Sequence, residues 1–204
     1  MNPDEKLAIH EAGHAVIAEL LYLNPEYVTI EPTDSADGHL KRRTPYSAWE
    51  RWRELIVICA GILAEESCQV LDEPSEDLEL PGDKGADSAR LWASLQAHSD
   101  NPGQQSEWFV LAFSQTRRIL NNAAVWRAVE SLAARLLEKR TLDRWESADA
   151  IDAALGGSKW KRYRERRQMV ARYASPPLTW IESCEEYRQM EKAMAAYAAG
   201  GAEI

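Results

Sequence analysis

Hydrophobic and polar residues recur with helical spacing over most of this chain, which predicts a mainly α-helical protein. The first such segment begins at Pro3, and Asn2 before it is a typical N-cap. Asp4 and Glu5 fall in the first turn, where the helix dipole favours negative charge. We therefore predict a first helix from about Pro3 to Leu23.

A short β segment is expected next. Tyr27 to Ile30 is rich in β-branched and aromatic residues and is bounded by prolines, as is typical of a strand. Thr33 to Gly38 has the composition of a turn, and Gly38 to Lys41 fits a return strand. We expect this small sheet, in its simplest form one β-hairpin, to be the only β structure.

Ser47 and Glu50 have the spacing of a capping box, which predicts the start of a second helix. This helix should extend to about Val70. Its middle, Leu55 to Ala64, is apolar at every position except Gly61. Such a run is too continuous for an amphipathic surface helix, so we place it in the core. Gly61 and its neighbouring alanines would allow another helix to approach closely.

The remaining helices are read from periodicity and from Gly and Pro positions. An acidic loop spans Leu71 to Gly85 and precedes a helix that starts near Asp87. The later helical segments are Asp87 to Ala97, Ser106 to Asn122, Ala123 to Lys139, and Asp143 to Leu155 with Thr141 as its cap. Of these, Ser106 to Asn122 and Ala123 to Lys139 could form one bent helix. Gly156-Gly157 ends the series, so we predict one domain over residues 1–156 and a helical extension over 157–204.

The extension begins with a basic run. Lys159 to Arg172 holds seven bases against Glu165. Such a run is most often the solvated face of a helix, here able to dock on the chain's own acidic loop, but it also suits nucleic acid, an acidic partner or a membrane surface. Trp180 to Ala199 has the pattern of a terminal amphipathic helix that packs on the domain, and dimerisation through it remains open.

Composition and charge narrow the functional classes. The 204 residues carry a net charge of −9, which argues against general nucleic-acid binding. The longest apolar run is too short to span a membrane, and the N-terminus has no signal-peptide pattern, so a cytoplasmic protein is expected. The three cysteines include no C-x-x-C pair and are expected to be reduced structural thiols.

The clearest chemical signal is His10-Glu11-Ala12-Gly13-His14 within the first helix. His10 and His14 are four residues apart, so their imidazoles lie one turn apart on one face and can bind one ion. Glu11 is rotated by about 100° from His10, beside the ion rather than on it, where a general base can take a proton from water. The H-E-x-x-H spacing therefore predicts a zinc peptidase site that still needs a third ligand.

Several segments together resemble one family. They are His10 to Ala15, Val28 to Ile30, Ala60-Gly61 with Ala64 to Glu66, Gly85 to Asp87, and Leu136 to Leu142. They occur in the order seen in FtsH-type metallopeptidase domains, and the resemblance covers about residues 6–156. It implies a mostly helical peptidase domain in which two histidines and a distant aspartate bind Zn²⁺.

Carried onto this sequence, the resemblance makes His10 and His14 ligands, Glu11 the base, and Asp87 the third ligand. Asp87 shares a face with Leu91 and Leu95 and follows Gly85-Ala86, whereas Asp83 is the competing candidate. The family is also thought to hold substrate along a strand edge, here Gly38 to Lys41, which would let His39 touch substrate. Glu65 or Glu66 would orient a ligating imidazole or simply be solvated.

The departures from the family limit what carries over. No G-x-x-x-x-G-K-[ST] motif and no membrane span occur in the sequence, so ATP-driven unfolding would need an ATPase or adaptor acting in trans. We expect a zinc-dependent peptidase acting on proteins or peptides, without nucleic acid as a partner and with its oligomeric state open. The alternative is a non-catalytic zinc-binding regulatory or interaction module with the same fold. A different divalent ion would also suit two histidines and a carboxylate.

Overall fold

The computed structural model describes residues 1–32, 38–41, 47–67, 86–156, 165, 168–169, 172–184 and 189. Its helices are α1 (Pro3–Leu20), α2 (Ala48–Ser67), α3 (Ala86–Gln96), α4 (Pro102–Leu120), α5 (Ala123–Lys139), α6 (Arg144–Ala154) and α7 (Leu178–Ser183). Its strands are β1 (Tyr27–Thr29), β2 (His39–Lys41) and β3 (Thr141–Asp143). The predicted fold class, mainly α with a small sheet, is confirmed.

Helix α1 is the central helix of the fold. Asn2 and Glu5 form a reciprocal capping box at its start, which satisfies backbone donors that would otherwise lack partners. The helix ends at Leu20 rather than at Leu23, because the chain turns through positive φ at Tyr22 and Asn24. Every residue from Glu11 to Leu20 is buried, so α1 is enclosed on all sides.

Helices α1 and α2 lie unusually close together. A β-carbon at Gly13 would lie 2.7 Å from the carbonyl oxygen of Ala60 and 2.7 Å from Cβ of Ala64, so only glycine fits at this crossing. The apolar middle of α2 is buried as predicted, from Leu55 through Gly61. This contact fixes the height and rotation of the histidine-bearing face of α1 against α2.

The sheet has three strands in the order β2-β1-β3, both neighbours antiparallel to β1. The presence of β3 shows that the expectation of β structure only within Tyr27–Lys41 was wrong. The prediction that Thr141 caps α6 was also wrong. Thr141 instead pairs with Thr29, their hydroxyl oxygens 2.6 Å apart. Asp143 caps α6, accepting from the backbone of Trp145 and Glu146.

Two other helix predictions need correction. α4 begins at Pro102, one turn before the predicted Ser106, because Asn101 caps it. α4 and α5 are separate helices rather than one bent helix, since the chain breaks at Asn121-Asn122 and Asn122 caps α5. The acidic loop and the basic run lie outside the described residues, apart from Glu165, Gln168, Met169 and Arg172.

The described part of the C-terminal extension packs on the helical core. Trp180 is fully buried against Trp52 and Trp108, and its ring N–H donates to the carbonyl oxygen of Ala48 at 3.1 Å. His98 stacks on the Trp180 ring with centroids 4.2 Å apart. The predicted helix over Trp180–Ala199 is not continuous, because α7 ends at Ser183 and the backbone at Cys184 is extended.

Two of the three cysteines lie among the described residues. Cys59 and Cys184 are free and buried, as expected for reduced thiols. Burial raises the pKa of the Cys59 thiol to about 12. Among the described helices, none is both long enough and apolar enough to cross a membrane.

Candidate metal centre

The two histidines of α1 and the aspartate at the start of α3 converge on one point. Asp87 Oδ2 lies 2.9 Å from His10 Nε2 and 2.7 Å from His14 Nε2, and the two Nε2 atoms are 3.0 Å apart. Within the described residues, this is the one group of three or more His, Cys, Asp or Glu side chains close enough to share an ion. Asp83, the competing candidate for third ligand, lies outside them.

This spacing fits a bound divalent ion. Two donors about 2.0–2.1 Å from one zinc ion at a tetrahedral angle are separated by about 3.3 Å, close to the separations seen here. Two imidazoles and one carboxylate also leave a fourth position open, as catalytic zinc sites do. The side chains present therefore suit zinc both in chemistry and in spacing.

A backbone contact on the side of the ring opposite Nε2 fixes the orientation of His14. Its Nδ1 lies 2.6 Å from the carbonyl oxygen of Val57 in α2, in the buried interior. Because a carbonyl can only accept, Nδ1 carries a proton and donates it, so Nε2 is the nitrogen that becomes free to bind an ion when the ring is neutral. This backbone contact plays the part that a carboxylate often plays behind a zinc-binding histidine.

His10 has a charged neighbour on its other ring nitrogen. Its Nδ1 lies 3.4 Å from Glu65 Oε2, and Glu65 Oε1 lies 4.0 Å from Lys6 Nζ. Of the two glutamates considered at the end of α2, Glu65 is thus the one beside a histidine of the group. Burial raises the pKa of Glu66, whose charged neighbours are Arg117 and Glu65.

Gly61 provides the space in which the histidines meet. A β-carbon there would lie 2.3 Å from His14 Nε2 and 2.9 Å from His10 Nε2, well inside van der Waals contact. The predicted close approach of another helix to Gly61 and its neighbouring alanines is confirmed, because α1 meets Ala60 and Ala64 through Gly13 and meets Gly61 through His14. The absence of a side chain at Gly61 also leaves space for the donor atoms of the two histidines.

The electrostatics of the group favour a cation. Burial alone would raise the pKa of Asp87, but hydrogen bonds to His10 and His14 outweigh it and hold that pKa far below its usual range. Burial lowers the pKa of His14, but Asp87 and Glu11 outweigh burial and raise that pKa above its usual value. The Asp87 carboxyl group is therefore ionised at neutral pH, and its negative charge favours a positive charge on or beside the histidines.

Glu11 lies beside the group, not in it. The residue is 4% exposed, and its Oε2 is buried without a hydrogen-bond partner among the described residues. Burial raises its pKa, an effect that His14 and His10 reduce. A buried carboxyl group whose Oε2 has no hydrogen-bond partner among the described residues, next to three metal-type donors, is placed where proton transfer could occur.

His39 faces away from the centre. Successive strand residues point to opposite faces, and Leu40 packs on the core together with its partner Val28. His39 therefore lies on the outer face, where its Nε2 is 2.7 Å from the Tyr27 hydroxyl oxygen. That His39 touches substrate stays a prediction, and in the same segment Gly38 lies against Glu11.

One charged residue near the centre was not foreseen from the sequence. Arg90 lies 3.5 Å from Asp87 Oδ1, on the side away from the histidines, and 3.8 Å from Glu54. Its position three residues after Asp87 in a helix was the available signal. The side chain is more than half exposed, so this pair adds little to stability, but it helps to keep Oδ2 directed at the histidines.

Comparison of the chain with protein-family models and with curated proteins gives no match. The resemblance to FtsH-type domains therefore rests on the residues quoted above, and the functional assignment rests on the geometry of the centre.

Proposed function

We propose that this protein is a zinc-dependent peptidase, with His10, His14 and Asp87 as the metal ligands and Glu11 as the general base. The observation that supports it is the convergence of three donor atoms within 3.0 Å of one another beside a buried carboxyl group that makes no hydrogen bond through Oε2 among the described residues. A purely structural site would not require a base in that place.

Each residue has a separate role in the proposed reaction. Zinc, when bound, supplies a Lewis acid that acidifies water and polarises the carbonyl of the scissile peptide bond. His10 and His14 bind it through Nε2, and Val57 keeps His14 in the required tautomer. Glu11 accepts a proton from water and then donates it to the departing amine, a cycle that suits a carboxyl group whose pKa burial has raised.

Substrates of this reaction would be proteins or peptides. The sequence holds no phosphate-binding loop, so any ATP-driven unfolding of a folded substrate would have to come from outside these 204 residues. We propose that the protein acts directly on unfolded chains and on short peptides, and that folded substrates require an ATPase or adaptor in trans.

The test combines metal content with cleavage of casein. Purified wild type is expected to hold about one zinc per chain and to cleave casein. Glu11→Gln should keep the metal and lose at least about 100-fold in rate, since a positioned base contributes about 10²–10⁴-fold. Asp87→Ala should lose both metal and activity, whereas Asp83→Ala is the matched control and should keep both.

The outcomes separate the alternatives. If Asp83→Ala loses the metal and Asp87→Ala keeps it, the third ligand is assigned wrongly. If wild type holds zinc but cleaves neither casein nor short peptides, the peptidase proposal is wrong, and a non-catalytic zinc-binding module takes its place.

A further inference from the structure

Gly38, the residue immediately before β2, lies against Glu11. A β-carbon at this position would lie 3.1 Å from Glu11 Cγ and 3.1 Å from Glu11 Oε1. Both separations are tighter than ordinary van der Waals contact. The strand can therefore lie directly on the carboxyl group only because residue 38 has no side chain.

Gly38 also lies close to the backbone of β1. The same β-carbon would lie 2.9 Å from the carbonyl oxygen of Thr29, in the paired strand β1. A backbone atom in a paired strand cannot swing aside, whereas the end of a glutamate side chain can. A methyl group at residue 38 would thus be confined between β1 and Glu11, and Glu11 would be the group displaced.

No hydrogen bond between Glu11 Oε2 and a described residue would hold the carboxyl group in place against the added methyl group. Glu11 Oε2 makes no hydrogen bond to any described residue, although it is buried. A carboxyl group held in this way keeps its place by packing, and packing contacts are lost when a neighbour grows by one methyl. The backbone of Gly38 lies outside the left-handed region, so alanine would meet no backbone strain there.

We propose that Gly38 is a positioning residue for Glu11, setting by its lack of a side chain where the carboxyl group lies beside His10, His14 and Asp87. The catalytic part of this inference rests on the proposed function, because only in a peptidase is Glu11 a base. The contact itself does not depend on that role. A displacement of about 1 Å in a reacting group costs on the order of 100-fold in rate, so the contact bears directly on turnover.

The contact is tested by thermal unfolding of four metal-free proteins: wild type, Gly38→Ala, Glu11→Ala and the double variant. Gly38→Ala is expected to lower Tm by about 2–12 °C in wild type, since overpacking costs about 1–3 kcal/mol and each kcal/mol shifts Tm by about 2–4 °C in a chain of this size. In the Glu11→Ala background the methyl group has room, so the shift should be less than half as large. Equal shifts in the two backgrounds would overturn the inference.

Gly103→Ala is the matched control. A β-carbon at Gly103 would meet only Asn101 Oδ1, at 3.3 Å, in the first turn of α4. Its effect on Tm should therefore be the same with and without the Glu11 side chain. A change that depended on Glu11 in this control as well would mean that the coupling is not specific to Gly38.

Metal binding and kinetics supply the second measurement. Gly38→Ala should bind zinc within about threefold of wild type, because the added methyl is not directed at the ligands. Its kcat should fall at least 10-fold while KM changes less than about threefold, since the base acts in the transition state and not in substrate binding. An unchanged kcat beside an active wild type would overturn the positioning role.

The two hypotheses can fail separately. If wild type binds zinc and cleaves nothing, the peptidase proposal fails, and the coupled Tm shifts alone decide whether Gly38 positions Glu11. If wild type cleaves casein and the Tm shifts are uncoupled, the peptidase proposal stands and Gly38 has no part in it.

Discussion

His14 Nδ1 donates to the carbonyl oxygen of Val57, 2.6 Å away, and Val57 lies one helical turn before Gly61 in α2. The same stretch of α2 thus fixes the proton on one nitrogen of His14 and leaves space beside the other. Helix α2 contributes no side chain to the group of donor atoms, yet it determines where the donor atom of His14 points.

Gly61→Ala is expected to weaken zinc binding at least about 100-fold, because the new methyl group would occupy the place of His14 Nε2. The sign of the effect on stability should reverse once both imidazole rings are removed. Alanine is favoured over glycine inside a helix by about 1 kcal/mol, so Gly61→Ala should stabilise a His10→Ala/His14→Ala protein, in which neither imidazole lies against the new methyl group. Zinc titration and urea unfolding check the two parts.

In the same pair of experiments, a Gly61→Ala protein that kept wild-type zinc affinity would show that the His14 ring can move away from the methyl group and still bind zinc. A loss of stability of equal size with and without the two histidines would show that the clash involves other atoms.

Glu65→Gln should reduce zinc affinity about 10-fold, since removing a charged partner from a ligating imidazole typically costs about 10- to 100-fold. The reason is that Glu65 Oε2 lies 3.4 Å from His10 Nδ1, where it can accept a hydrogen bond from the ring when Nε2 binds an ion. Glu66→Gln is the matched control on the same helix, and its affinity should equal that of wild type. Competition with a zinc-binding dye measures both, and equal losses in the two variants would contradict a specific role for Glu65.

The stabilisation that zinc provides should grow as pH rises from about 5.5 to 8. In the metal-free protein the pKa of His14 is raised, so its contribution to stability is complete below about pH 6.5 and is lost as pH rises through the folded-state value. The pKa of Asp87 is lowered, so its contribution is lost only as pH falls below about 4 and is constant in this window. Zinc binding requires neutral histidine and therefore strengthens with pH.

Thermal unfolding with and without zinc across that pH range provides the measurement. The Tm difference between the two forms should widen toward pH 8, and the Tm of the metal-free form should fall. A constant difference would mean that His14 does not exchange a proton for the metal.

Trp180→Ala is expected to destabilise the protein by about 3–5 kcal/mol, the usual cost of truncating a fully buried tryptophan. Its ring contacts Trp52 and Trp108, so the loss would open a cavity between the C-terminal segment and the helical core. Trp145→Ala is the control, because that side chain is 72% exposed and should change stability by less than about 0.5 kcal/mol. Urea unfolding of both variants distinguishes a docked segment from one that is merely adjacent.

The sequence was sufficient for those parts of the fold that local patterns determine. The capping residues of α1, the apolar run of α2 and the start of α3 near Asp87 are local signals, and each of these three helices lies within a few residues of its predicted bounds. The placement of Asp87 beside His10 followed from the family resemblance, because spacing along the chain carries no information about two helices more than 70 residues apart.

The remaining features depend on contacts between distant segments. Three residues, Thr141 to Asp143, are too short for strand alternation to be recognised, and β3 exists because β1 offers it an edge. Gly38 and Gly61 carry no local signal of what lies opposite them. The direction of His39 follows from which face of the sheet packs on the core, which cannot be read from a three-residue strand alone.

The three-stranded sheet also constrains the order in which this protein can be completed during synthesis. β1 lies between β2 and β3, and Thr29 meets Thr141 across 112 positions of chain. All three metal-type donors therefore emerge from the ribosome before the central strand has both of its neighbours, and closing so long a loop is slow. A nascent chain that stops before Thr141 would hold His10, Glu11, His14 and Asp87, yet it would lack the strand that completes the sheet beside them.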